Sequence, residues 1–269
     1  MNSLPPWCMS LLAVLTLWAS HSALCFSAEP PLNSGTFRVS GAALKPGEYP
    51  WQAGARLHDA TVAGRVRADA WFLGAALLRE EAREPQLRLK AGVLFDLRVN
   101  QVHALATRNA RLQQLLERLE QQAEQLPVTG RVRAQLDPFQ LLILKNNPLL
   151  HPRDHLIYPL RPDQIRVMGA VMADCELTFD PKLALKHYLR QCPRHATADR
   201  DEVYVIQPDG YIQTVGIAHW NQQQINLAVG AIIYRPLKSS ALSPDTPDMN
   251  RDIAAFLATQ HSLGGRFYE

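Results

Sequence analysis

Gln164-Ile165-Arg166-Val167-Met168-Gly169-Ala170 parallels Thr36-Phe37-Arg38-Val39-Ser40-Gly41-Ala42, with Arg, Val, Gly and Ala matching in register. An echo of this length points to one structural unit used twice. In the first copy Phe37 and Val39 alternate with Thr36, Arg38 and Ser40, the period of a half-buried strand. Lys45-Pro46-Gly47-Glu48-Tyr49 then supplies a Pro–Gly turn, and a short helix over 57–62 is ended by Gly64.

Working outward, residues 70–83 are apolar and then charged, compatible with strand or helix until Pro85 breaks the run. From 86 to 126 the pattern is helical. Leu112, Leu115, Leu116, Leu119, Ala123 and Leu126 recur at spacings of three and four. A hairpin of two helices bending near Val99-Asn100-Gln101 is expected, ended by Pro127 and Gly130. Strands follow over 131–136, 140–144 (a buried one, Gln140-Leu141-Leu142-Ile143-Leu144) and 155–158, so strands flank the helices on both sides. Pro159-Leu160-Arg161-Pro162 reads as a joint. After the second opening strand come a strand over 176–179 and a helix starting at Asp180-Pro181, as N-cap and first helical residue. A hairpin over 203–215 turns at Pro208-Asp209-Gly210, and Ile232-Ile233-Tyr234 closes the unit. The expected organisation is a leader over 1–28, a domain over 29–160 with a helical insertion over about 85–126, and a domain over 161–236. A linker and a terminal amphipathic helix carrying Met249, Ile253, Phe256 and Leu257 occupy 237–269.

With 47% apolar and 20% charged residues over 269 positions, the chain has a globular composition. A net charge of +3 with interspersed signs leaves nucleic-acid binding unsupported. The first 28 residues hold no Asp, Glu, Lys or Arg and run from an apolar stretch into small residues. That fits a secretory leader and a periplasmic destination, although the leader lacks a basic n-region; an uncleaved anchor helix is the alternative. Removing the leader leaves Cys175 and Cys192. In an oxidising compartment an even pair points to a disulfide, with two unpaired thiols as the other reading.

Catalytic equipment is scarce. GxSxG elbows, Walker loops, HExxH helices and dinucleotide-binding glycine turns are absent, so no catalytic residue, cofactor or metal is assigned. His151-Pro152-Arg153-Asp154-His155 reads as surface histidines on a Pro-containing loop, with a metal site as the alternative. Two places rise above background as ligand-binding candidates. In Thr129-Gly130-Arg131-Val132-Arg133, where the chain leaves the helices, Arg131 or Arg133 would offer a planar fork to acidic groups; an Arg lying over the sheet edge is the alternative. Trp220, between His219 and Asn221, would stack on a sugar or else lie buried in the core. The apolar face of the terminal helix would pack on this chain, dock a partner or lie on a membrane.

Val39-Ser40-Gly41-Ala42, Val167-Met168-Gly169-Ala170, the 45–49 turn and the run Asn147-Pro148-Leu149-Leu150-His151-Pro152-Arg153-Asp154-His155-Leu156-Ile157-Tyr158-Pro159 together resemble the SLBB form of the β-grasp found in polysaccharide-export proteins. Arg153 stands where that module's ending expects Gly, and Val229 and Ala231 replace its Pro and Asp in the second copy. With the order of parts added, the mature chain resembles the capsule-biosynthesis GfcC/YjbG family. The resemblance implies an α+β fold of two β-grasp (SLBB-like) domains, the first with a long helical insertion, plus a C-terminal amphipathic helix. It carries Arg131 over as the position of interest. It further implies a periplasmic, non-enzymatic accessory role in capsule or exopolysaccharide export. The partners would be outer-membrane or periplasmic secretion proteins, or acidic polysaccharide. An envelope enzyme modifying polysaccharide is the rival, and a purely structural subunit the third possibility.

Overall fold

The computed structural model describes residues 35–263, so the leader expected over 1–28 lies outside the described residues. The chain is mixed α+β, with two five-stranded sheets built to one plan. In the first, β1 (Gly35–Gly41) turns back antiparallel on β2 (Gly47–Trp51) and runs parallel to β5 (His155–Tyr158). β5 pairs antiparallel with β3 (Ala76–Leu78), which pairs with β4 (Arg131–Val132), giving the order β2-β1-β5-β3-β4. The second sheet uses β6 (Gln164–Gly169), β7 (Cys175–Thr178), β8 (Glu202–Ile206), β9 (Ile212–Gly216) and β10 (Ile232–Arg235). Its order, β7-β6-β10-β8-β9, repeats the first with every strand advanced by five.

The echoed Gly-Ala has a physical cause in this plan. Gly41 and Gly169 end equivalent strands at φ of +84° and +97°, the left-handed region that favours glycine. At each, the opening strand crosses the last residue of its parallel neighbour. A Cβ on Gly41 would lie 2.0 Å from the Tyr158 carbonyl oxygen, and one on Gly169 2.4 Å from that of Arg235. The following amides then close the crossing: Ala42 N–H donates to Tyr158 O at 2.7 Å, Ala170 N–H to Arg235 O at 2.8 Å. Arg153 has φ of +67°, in the left-handed region that favours the glycine expected at this position from the sequence resemblance.

One face of the first sheet is covered by α1 (Leu57–Gly64) around Phe37, Val39, Leu57, Leu77, Leu156 and Tyr158. The second sheet is buried on both faces. Ile165, Val167, Val203, Val205 and Ile233 meet α4 (Leu185–Gln191) through Leu185 and Tyr188. Met168, Ile206, Ile232 and Tyr234 meet α2 (Arg83–Ala106), α3 (Ala110–Gln125) and α5 (Met249–Ala258). The helical pair therefore leaves the first sheet between adjacent strands β3 and β4 and packs on the second. Here α5 lays its apolar face on its own chain, burying Met249, Ile253, Ala254, Phe256 and Leu257. No helix among the described residues is long and apolar enough to cross a membrane.

Several local expectations are corrected. The helices turn at 107–109, with Asn109 capping α3 through a 3.1 Å bond from Leu112 N–H, rather than at Val99-Asn100-Gln101. Asn100 is instead fully buried, its amide donating to Asp96 O and Thr246 Oγ1 while its oxygen accepts from Ser243 N–H. A side chain that reads as a turn former thus clamps the 237–248 linker onto α2. Residues 140–144 are no strand but two consecutive 3-10 turns, Gln140–Leu142 and Leu144–Asn146, launched where Asp137 Oδ1 accepts Phe139 N–H. The strand expected over 131–136 stops after Val132. Residues 70–83 hold both structure types: β3 lies between the 3-10 turns Phe72–Gly74 and Glu80–Ala82. Pro85 sits in the first turn of α2, where its missing N–H is harmless. Asp180-Pro181 forms a turn, with Asp180 Oδ1 accepting Lys182 N–H, and α4 starts later at Leu185. The first helix ends through Arg65 at φ of 49°, one residue beyond Gly64. Cys175 and Cys192 form a disulfide that staples β7 to the end of α4. Closing a loop of that size stabilises the fold by about 3 kcal/mol in the chain-entropy model.

Candidate functional site

Where β4 gives out, the chain passes close to the β8–β9 turn, and an open cleft of about 590 Å³ lies between them. Phe72, Leu73, Arg133, Gln135, Asp137 and Asp209 line it. The turn is fixed locally: Gly210 takes φ of +82°, and Asp209 Oδ1 accepts Tyr211 N–H at 2.9 Å. This holds the Tyr211 ring under the Arg133 guanidinium, whose carbon is 4.9 Å from the ring centroid. Arg133 also reaches Asp209, at 3.3 Å, and its side chain remains 58% exposed. The site therefore offers a solvent-facing cation on an aromatic platform, two carboxylates and an amide. Such groups suit hydroxyl-rich or acidic ligands.

Arg131, two residues earlier, points the other way. It is buried, and its fork donates to the carbonyls of Pro208, Ala258 (3.3 Å) and Ala75 (3.4 Å). Burial pushes its guanidinium down to about 10, so it stays charged at neutral pH. The chain around it is stitched equally firmly. Gln86 of α2 donates to Arg131 O at 2.8 Å and accepts from Gly130 N–H at 2.7 Å, while Thr129 Oγ1 donates to Thr259 O at 2.9 Å. The pair read from the sequence as one candidate thus divides: Arg133 faces the cleft, and Arg131 clasps its floor. Neither lies over an exposed sheet edge as an idle side chain.

Trp220 is not a core residue. It is 76% exposed on the loop after β9. That loop lies at the other end of β9 from Tyr211, roughly 16 Å away for five residues of strand. Its neighbour Asn221 is occupied structurally, donating to Asp201 O and accepting from Ala218 N–H. Phe72, Tyr211 and Asp209 escaped the sequence reading. The only available signal was the Pro-Asp-Gly turn, read as a hairpin marker and not as the holder of an adjacent Tyr.

His151 and His155 do not converge. His151 Nδ1 lies 3.3 Å from Glu81, whereas His155 Nε2 shares a 2.8 Å hydrogen bond with Ser40 Oγ. Burial, with a contribution from Arg38, lowers His155 to about 4; burial, then Arg131 and His155, lowers His261 to about 4. Both imidazoles are neutral in the fold and would charge in the unfolded chain near pH 6.5. The unfolded state thus binds more protons between those values, so stability is full above pH 6.5 and falls as pH drops towards 4. We expect a loss on the order of 2 kcal/mol across that window, read from urea midpoints at pH 7 and 4.5. His155→Gln should flatten the profile.

Comparison with known proteins bears on this arrangement. Residues 48–158 match the family model described as capsule biosynthesis GfcC, N-terminal, and residues 174–261 that described as capsule biosynthesis GfcC C-terminal. The uncharacterized protein YjbG of Escherichia coli strain K12 is 30% identical over 199 residues, spanning 73% of this chain and 79% of the relative.

Proposed function

Because the chain belongs to the capsule-biosynthesis GfcC family, whose members the YjbG relative and both family models represent, we propose that its role in capsule assembly is that of a non-enzymatic polysaccharide-binding protein acting in the periplasm. The observation that carries this reading is the Arg133–Tyr211 pair, whose arginine lines the open cleft. A sugar ring can stack beside Tyr211 and Phe72, while Gln135 and Asp137 exchange hydrogen bonds with hydroxyls. A uronate or other acidic substituent can displace Asp209 from the Arg133 fork. Trp220 supplies a separate stacking platform for a long polymer. Two further readings belong with this one. We read the repeated strand order, with α1 on the first sheet and α4 on one face of the second, as two SLBB-type β-grasp modules, and α2 and α3 as an insertion in the first. Secretion proteins of the periplasm or outer membrane are the partners that would receive the polymer.

The test is titration of the purified protein with capsular polymer from the producing cell. Arg133→Ala and Tyr211→Ala should each weaken binding about tenfold, the range of a lost charge-assisted bond or cation–π contact. Unaltered binding by both variants sinks the cleft as the site. A fall in polymer length on incubation would favour the rival, an envelope polysaccharide-modifying enzyme.

A further inference from the structure

The apolar run that reads as a core strand, Leu141-Leu142-Ile143-Leu144, is displayed. Leu142 is 68% exposed, Ile143 47% and Leu144 69%, beside Phe139 at 73%. Four large apolar side chains in six residues stand in solvent, far from the usual scatter of single surface hydrophobics. This is no slack loop. Leu141 is fully buried as its anchor, as is Leu150 beyond it. Arg56 donates to Asn147 O at 2.7 Å, His58 N–H to Asn147 Oδ1 at 3.0 Å, and Leu57 N–H to Pro148 O at 3.1 Å. The apolar display is thus held in place before any partner arrives.

We propose that the 138–149 loop docks this protein on the surface of an anionic lipid bilayer. Two features favour lipid over a protein partner. First, much of the loop's backbone is already bonded to itself, as an apolar medium demands. The amides of Leu141, Leu142, Ile143, Asn146 and Asn147 all bond to carbonyls within 137–147, and Phe139 N–H bonds to the Asp137 side chain. A hydrocarbon boundary offers no water to replace such bonds, so a segment entering it must satisfy them internally. Second, the charge is complementary. From Pro138 to Leu150 there is no carboxylate, and the one charged side chain, Lys145, is positive and beside the apolar tip. Phe and Leu beside Lys is a composition of interfacial anchors, whereas protein interfaces, which also take Phe, are depleted in Lys. The loop starts at Asp137, which also lines the cleft, so docking would set the cleft at the membrane surface. The docking inference stands whether or not the cleft binds polymer.

The experiment is vesicle sedimentation. It uses the chain from Asn33 onward, because the described residues all fall in one compact unit that begins there and the apolar 1–28 stretch would bind lipid by itself. Vesicles of phosphatidylcholine alone are compared with vesicles also containing phosphatidylglycerol. The protein should sediment with both and more strongly with the anionic ones. Leu142→Ser/Leu144→Ser should lower partitioning at least about tenfold, and Lys145→Gln about fivefold on anionic vesicles only. Thermal unfolding of each variant checks that the fold persists; Phe139→Ser is an independent variant at the most exposed position. The proposal is overturned if the wild-type protein stays in the supernatant with both vesicle types, or if the serine variants sediment as well as it does. It is also overturned if ultracentrifugation shows a dimer that the double serine variant abolishes, for the loop would then seat a second copy.

Discussion

Asp154→Ala is expected to destabilise the protein by about 3–5 kcal/mol, the range found when one partner of a buried ion pair is removed. Asp154 is 1% exposed and takes 3.0 and 3.1 Å bonds from the fork of Arg79, whose side chain is 17% exposed, and a 2.9 Å bond from His151 N–H. Burial raises its carboxyl above the usual range despite Arg79. The desolvation is therefore not fully repaid by the pair, and the pair adds little over an apolar filling. Breaking it is another matter: alanine would leave the Arg79 charge half-stranded and the His151 amide unbonded at the entrance to β5. A loss of that size lowers the melting temperature by roughly 6–20 °C for a domain this large. Asp154→Asn, which keeps the shape and one acceptor, should cost less than half as much. Equal melting temperatures for wild type and Asp154→Ala would show that the neighbourhood tolerates a free Arg79.

The parts of this fold that were legible in the sequence are those governed by local sterics or long periodicity. Gly41 and Gly169 announced themselves because no other residue fits where each opening strand crosses its parallel neighbour. The Leu112–Ala123 stripe was readable because a long helix repeats its signal over several turns, all of it buried on one side. Failures arose where tertiary partners override a short pattern. Asn100 looks like a bend but lies mid-helix because Ser243 and Thr246, more than 140 residues away, supply its hydrogen bonds. Residues 140–144 have the composition of a core strand, yet Asp137 turns the chain and only Leu141 finds the interior.

The same distinction separates the halves of the candidate site. The junction 129–133 could be picked out as unusual, since two arginines stand either side of Val132 just after helix has given way to sheet. Which of them faces solvent depends on the Pro208 carbonyl and the Tyr211 ring, both brought in from the other sheet. Sequence distance hides that: Arg133 and Asp209 lie 76 positions apart.

Arg131→Ala provides the sharpest separation of scaffold from site. Removing the fork strips donors from the carbonyls of Pro208, Ala258 and Ala75 at once and leaves a void among three elements: β4, the β8–β9 turn and the end of α5. Unpartnered buried carbonyls and lost packing together should cost about 3 kcal/mol or more. Lysine should not restore the loss, because one ammonium cannot span three acceptors set around a planar fork. Arg133→Ala, by contrast, alters a surface ion pair and should shift stability by about 0.5 kcal/mol or less. Polymer binding should follow the reverse order once each protein is tested below its own unfolding transition. Arg133→Ala weakens it directly, while Arg131→Ala weakens it only as far as the Asp209–Tyr211 turn drifts from Arg133. A stable Arg131→Ala protein that has lost binding outright would reverse the assignment and make the buried fork the ligand's partner, reached by an opening of the cleft floor.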